Sequence, residues 1–205
     1  MSIAETIVKE HHLIRDYIDK VQAAAEIHSW EENPPAEFFR LAIDFNEKFV
    51  EKYHHIGENI VFPILVEKQN GRIDSEYRSL ENQHETARYH FAEFKRCLKG
   101  YEQGETYQTS IFWRSLASYI SFLRAHLNKE NHIFLPLIDR MLGPDDQKEI
   151  EKSIDDEINK LGRDYLENCR KTLDQMTSVL EKAYGDRYRY LLDSVSSKRV
   201  NYRAA

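Results

Sequence analysis

Two stretches of this chain repeat one chemical pattern. His54 is followed four residues later by Glu58 and then by Phe62 and Pro63; His126 is followed four residues later by Glu130 and then by Phe134, with Pro136 close behind. Residues four apart stack on one face of a helix, so each pair offers an imidazole and a carboxylate to the same point. His11 and His84 are single candidates elsewhere in the chain. Four histidines and two glutamates in one apolar layer are costly to bury unless they neutralise a cation. Imidazole and carboxylate donors without a thiolate suit iron, manganese or zinc, and bridging carboxylates suit a pair of metals. Any one of these histidines, taken alone, is more often a hydrogen-bonded core residue than a ligand.

The elements that must carry these residues read as helices. The chain of 205 residues has only seven glycines and five prolines and is rich in good helix formers, so the expected class is all-α. A first helix starts at the capping-box pair Ser2 and Glu5 and must stop by Asn33, Pro34 and Pro35. A second begins there and runs to Asn70 and Gly71, with a kink or an early end expected near Phe62 because Pro63 removes a backbone donor. A third opens at Asp74 or Ser75 and closes at Gly100, and a fourth extends from near Thr109 to Leu142. Short loops between four helices predict an up-down-up-down four-helix bundle over residues 1–142.

Residues 143–205 form a C-terminal helical extension. Ile150, Ile154, Ile158, Leu161, Tyr165, Cys169, Leu173, Met176, Leu180 and Tyr184 recur at helical spacing, with Gly162 as the expected break. This stripe reads first as helix packed on its own bundle and second as the seam of a homodimer. The last ten residues have no periodicity and are expected to be a solvated tail.

Counting along the helices places the six candidate ligands at one depth. Antiparallel neighbours meet at equal distances from their shared loop, and His11 and His54 each lie about twenty residues from the first loop. Glu58 precedes Asn70 by twelve residues and His84 follows Asp74 by ten; His84 precedes Gly100 by sixteen and His126 follows Thr109 by seventeen. Direction agrees. His11 continues the stripe of Ile7, Ile14 and Ile18, His54 shares a face with Val50, Val61 and Leu65, His84 continues Leu80, Ala87 and Phe91, and His126 continues Tyr119, Leu123 and Ile133. On the same count His12, His55 and His132 are solvated, although a one-residue slip would exchange the members of the pairs His11/His12 and His54/His55. His28 and His90 read as surface or rim residues.

Charge and composition exclude several partners. A net charge of -6, with no Lys/Arg cluster before the last few residues, leaves no footprint for nucleic acid or anionic lipid. The start lacks a signal peptide and no segment approaches the roughly 18 apolar residues of a membrane span, so a cytoplasmic location is expected. Cys97 and Cys169 have no ligand or disulfide spacing and read as small buried residues.

The motif set, Glu10-His11 with Ile14, His54/Glu58/Phe62-Pro63, His84/Arg88 and His126/Glu130/Phe134, resembles the hemerythrin-like, or HHE cation-binding, family over about residues 4–142. The resemblance implies a non-haem centre of two iron ions, bridged by Glu58 and Glu130, with His11, His54, His84 and His126 as terminal ligands. Oxygen-carrying members have a second histidine where this chain has Arg88, and HxxxxD where it has HxxxE. The closer likeness is to four-His, two-Glu members, which include iron-sensing and iron-sulfur-repair proteins. The function so implied is binding of O2 or NO, or sensing of oxygen or iron. The alternative is a redox enzyme acting on peroxide or NO, or donating iron for cluster repair. Arg88 reads either as a cation snorkelling to water or as a hydrogen-bond donor beside the metals.

Overall fold

The computed structural model describes residues 2–29 and 32–201. It is all-helical, with no strand among the described residues. Helix α1 (Ile3–His28) is opened by Ser2, whose hydroxyl accepts from the Glu5 amide at 3.2 Å while the Ser2 amide donates to the Glu5 carboxylate at 2.9 Å. The second rod is composite: α2 (Ala36–Phe45), a π-helical segment (Asn46–His54) and α3 (His55–Lys68) follow without a break. Helix α4 (Asp74–Glu102) is continuous. The fourth rod is again composite, with α5 (Thr106–Lys129), a short π segment (Glu130–Phe134) and α6 (Leu135–Met141). These four rods are the bundle.

Pro63 does not end its helix as expected; α3 runs on to Lys68. Both Pro63 and Asn59, whose carbonyl loses its donor, lie on the exposed face, where water can satisfy the acceptor.

Beyond the bundle, α7 (Pro144–Asn159) lies against α3, α8 (Tyr165–Tyr184) against α2 and the first π segment, and α9 (Asp186–Asn201) against α1. Gly162, at φ +104°, breaks the chain between α7 and α8 as expected; Gly185, at φ +55°, makes a second break that the apolar spacing did not announce. Cys169, Leu173, Met176, Leu180, Tyr188 and Leu191 enter the same core as the bundle residues. The C-terminal stripe is thus buried against its own chain. The expected tail is helical as far as Asn201, and Ser196 donates to Asp19 of α1 at 3.0 Å; residues 202–205 lie outside the described residues. No helix among the described residues is long and apolar enough to cross a membrane.

The apolar interior is divided in two. A large cluster holds the aromatic residues Phe38, Phe39, Phe94 and Phe112 with the C-terminal side chains, and a smaller one holds Ile3, Ile7, Val61, Phe62, Leu80 and Phe134. Along every rod the change from one cluster to the other falls at a candidate ligand: His11 between Ile7 and Ile14, His54 and Glu58 between Val50 and Val61, His84 between Leu80 and Ala87, and His126 and Glu130 between Leu123 and Phe134. A polar layer thus cuts the core at one depth.

Candidate metal centre

All six residues singled out by spacing meet in that layer. His11, His54, Glu58 and Glu130 form one group of potential ligand atoms, and His55, Glu58, His84 and His126 form another; within each group every atom lies within 4.8 Å of the others. Glu58 belongs to both. Its Oε1 is 2.6 Å from His54 Nε2, while Oε2 faces the second group, 3.5 Å from His84 Nε2 and 3.9 Å from His126 Nε2. Glu130 also looks both ways, with Oε2 at 3.2 Å from His11 Nε2 and Oε1 at 2.9 Å from His126 Nε2.

These short approaches are not a satisfied hydrogen-bond network. Both oxygens of Glu58 and of Glu130, and the Nε2 atoms of His11 and His54, are buried without a hydrogen-bond partner among the described residues. Buried groups of this kind are costly when unpaired. Within each group these atoms crowd to within 4.8 Å of one another, the arrangement expected of donors facing a cation. The far sides of the rings are anchored: Glu10 sits 2.8 Å from His54 Nδ1 and Asn131 Oδ1 sits 3.1 Å from His11 Nδ1. Such outer contacts fix ring orientation and leave Nε2 for a metal. The donor set therefore fits two metal ions.

Residues 2–138 match the Hemerythrin HHE cation binding domain. The chain belongs to that family. Comparison with curated proteins and with solved structures found no match. The hemerythrin domain contains both ligand groups and ends within α6, so α7, α8 and α9 lie beyond it.

His55 corrects the sequence reading. It was expected in solvent, yet it is 4 % exposed and lies in the second group. The reason is the π segment ahead of it. With i to i+5 bonding each turn takes up an extra residue, so the phase counted from a regular helix is wrong by the time the chain reaches His54. Both members of the pair then face inward. A trace of this was present in the sequence: Phe45, Phe49 and Tyr53, and beside them Asn46, Val50, His54 and Glu58, advance by fours with no step of three. An ordinary helix of 3.6 residues per turn would carry such a row off the buried face. His12 and His132 are exposed as expected. His28 stacks on Trp113, with ring centroids 4.2 Å apart, away from the polar layer.

Glu10, Asn131 and Glu51 were not assigned roles from sequence. Glu10 could have been suspected from its place next to His11; Asn131 had no signal, since it takes its position from the π segment that opens at Glu130. Glu51 stands 3.6 Å behind His55 Nδ1 and accepts from Arg88 Nε at 2.8 Å. Arg88 also donates to Glu85 at 2.9 Å. Its guanidinium thus meets the carboxylate behind His55, and its hydrogen bonds go to neither Glu58 nor Glu130.

The charges within the layer are strongly coupled. Burial opposes a charge on His54, but the Glu58 carboxylate beside Nε2 and the hydrogen bond to Glu10 outweigh it and hold the imidazole well above its ordinary pKa. Burial would raise Glu58, yet His54, with His84 and His55, holds it well below the usual carboxylate range. Glu130 is also lowered, against burial and the repulsion of Glu58, by His126 and His11. His55 goes the other way: burial outweighs Glu58 and pushes it down to about 4. A neutral imidazole at physiological pH is the form that ligates.

Proposed function

We propose that this hemerythrin-domain chain is a non-haem di-iron protein that binds O2 or NO, or senses oxygen or iron. The observation that carries the reading is the pair of ligand groups sharing Glu58, with the Glu58 and Glu130 carboxylates and two imidazole nitrogens buried and without a hydrogen-bond partner among the described residues. Imidazole and carboxylate donors without thiolate suit iron, and a reduced iron pair supplies both open coordination positions and electrons to a diatomic ligand.

The protein's part is to hold the donors and to keep water out. Glu10 and Asn131 fix the His54 and His11 rings, Glu51 stands behind His55, and Phe62 and Phe134, 4.7 Å apart, cover the layer on the side of the smaller core. The segment that ends in His54 also touches α8, where the Tyr165 hydroxyl donates to the Lys48 carbonyl at 3.1 Å. In a sensing role that contact is a short path from the centre to the C-terminal helices.

The test is to load the purified chain anaerobically with Fe(II), add O2, NO or peroxide in turn, and follow the visible spectrum. A spectral change that reverses when the gas is removed supports binding or sensing. Many turnovers per centre would replace this reading with a redox enzyme, and failure to hold iron would remove it.

A further inference from the structure

The seven side chains of the two ligand groups are not equally buried. Six of them are 5 % exposed or less, whereas His84 is 17 % exposed. The opening beside it is a cleft between α3 and α4 of about 340 Å³, lined in part by Glu58, Phe62, Tyr77, Glu81, His84 and Arg88. Above and below the ligand layer lie the two apolar clusters, through which an ion would have to shed its water without any replacement ligand. This cleft offers oxygen and nitrogen atoms from Glu81, His84 and Glu58 along its length.

Three carboxylates line this cleft against one guanidinium. Glu85 is tied to Arg88, and Arg88 in turn to Glu51. Glu81, exposed and one helical turn before Glu85 and His84 on α4, has no hydrogen bond or ion pair among the described residues. At the inner end is the Glu58 carboxylate, 2 % exposed with both oxygens unpaired. An ion at the mouth thus meets an unengaged carboxylate first, a partly exposed imidazole next and a buried carboxylate last.

We propose that this cleft is the path by which divalent cations reach the centre, with Glu81 as the outer station that captures the hydrated ion and His84 as the ligand that receives it. The proposal rests on the reading that the two groups hold metal ions. A carboxylate at the mouth acts mainly on the rate of capture, because steering by charge raises the local concentration of a cation and is screened by salt.

The experiment measures the rate of uptake, not the activity of the loaded protein. The full chain, stripped with a chelator, is mixed anaerobically with Fe(II) or with Co(II) in a stopped-flow instrument, using a competing chromophoric chelator as reporter. Three variants are compared with wild type: Glu81→Lys, Arg88→Gln, and Asp174→Lys on the exposed face of α8 as a control with the same change in net charge. At low ionic strength Glu81→Lys should slow uptake by roughly three- to tenfold, and Arg88→Gln should speed it about twofold. Asp174→Lys should match wild type, and all differences should shrink at about 1 M salt, where the screening length is only about 3 Å. Every variant should finish with two metals per chain. An unchanged rate for Glu81→Lys, or equal slowing by Asp174→Lys, overturns the path while leaving the centre intact. A lower final stoichiometry for Glu81→Lys overturns the transit role by making Glu81 part of the centre. No uptake by wild type overturns both readings.

Discussion

Replacing Glu58 by Gln keeps the side-chain volume and removes the charge that both ligand groups share. It leaves each group with three of its four potential ligands, whereas Glu130→Gln leaves His55, Glu58, His84 and His126 complete. The two glutamates, equivalent in the sequence pattern, should therefore differ in effect. Each metal present at a hundredfold excess over its dissociation constant stabilises the folded chain by about 2.7 kcal/mol, so two contribute roughly 5 kcal/mol. For a chain of this size each kcal/mol moves Tm by roughly 2–4 °C, so metal loading should raise the wild-type Tm by about 10–20 °C. Glu130→Gln should retain one ion and about half of that increment; Glu58→Gln should retain almost none. The assay is thermal unfolding of chelator-treated and metal-loaded protein, with elemental analysis of the same samples. Two metals and a full Tm increment in Glu58→Gln, or a larger loss in Glu130→Gln than in Glu58→Gln, would refute the shared-bridge reasoning.

Three further outcomes are expected. His55→Ala should weaken metal binding by at least on the order of tenfold to a hundredfold in a competition titration, while His132→Ala, on an exposed face where the ring meets the Asn128 carbonyl, should leave two metals bound; equal behaviour of the two would return His55 to the solvent-facing role first read from the sequence. In chelator-treated protein, folding free energy from denaturant titrations should fall by about 3 kcal/mol between pH 6.5 and 4, because the unfolded chain protonates His55 near 6.5 and the folded chain only near 4. The raised His54 contributes stability that is complete below about 6.5 and lost at higher pH, and the depressed Glu58 contributes stability lost as pH falls through the ordinary carboxylate range and below, so neither masks the fall above about pH 5; His55→Gln should flatten it. Met176→Ala, at a fully buried position of α8, should cost about 2–5 kcal/mol and lower a single cooperative melting transition; separate transitions would show that the C-terminal helices unfold apart from the bundle.

Much of the centre was legible because its signals are periodic and its helices are mostly regular. His11, His84 and His126 lie on long α-helical runs, where counting residues gives both depth and direction, and the structure puts all three in the polar layer. The count failed at His55 because the π segment alters residues per turn, a property that hydrogen bonding along the whole rod decides and no single residue announces. The early end allowed for at Pro63 did not occur for a different reason: its cost depends on whether the orphaned carbonyl faces water, which is a matter of burial.

By itself, then, the sequence determined an all-helical chain, the repeat of His and Glu at fours, and the common level of six donors, since these follow from local propensity and a constant rise per residue. Tertiary structure decided the rest. It brought His55 into the centre, made Glu58 the carboxylate common to both groups, set Glu10, Asn131 and Glu51 behind the imidazoles, and laid α8 and α9 over the bundle core. Each of these depends on which atoms from distant segments arrive within a few ångströms of one another, and that distance is set by the packing of whole helices.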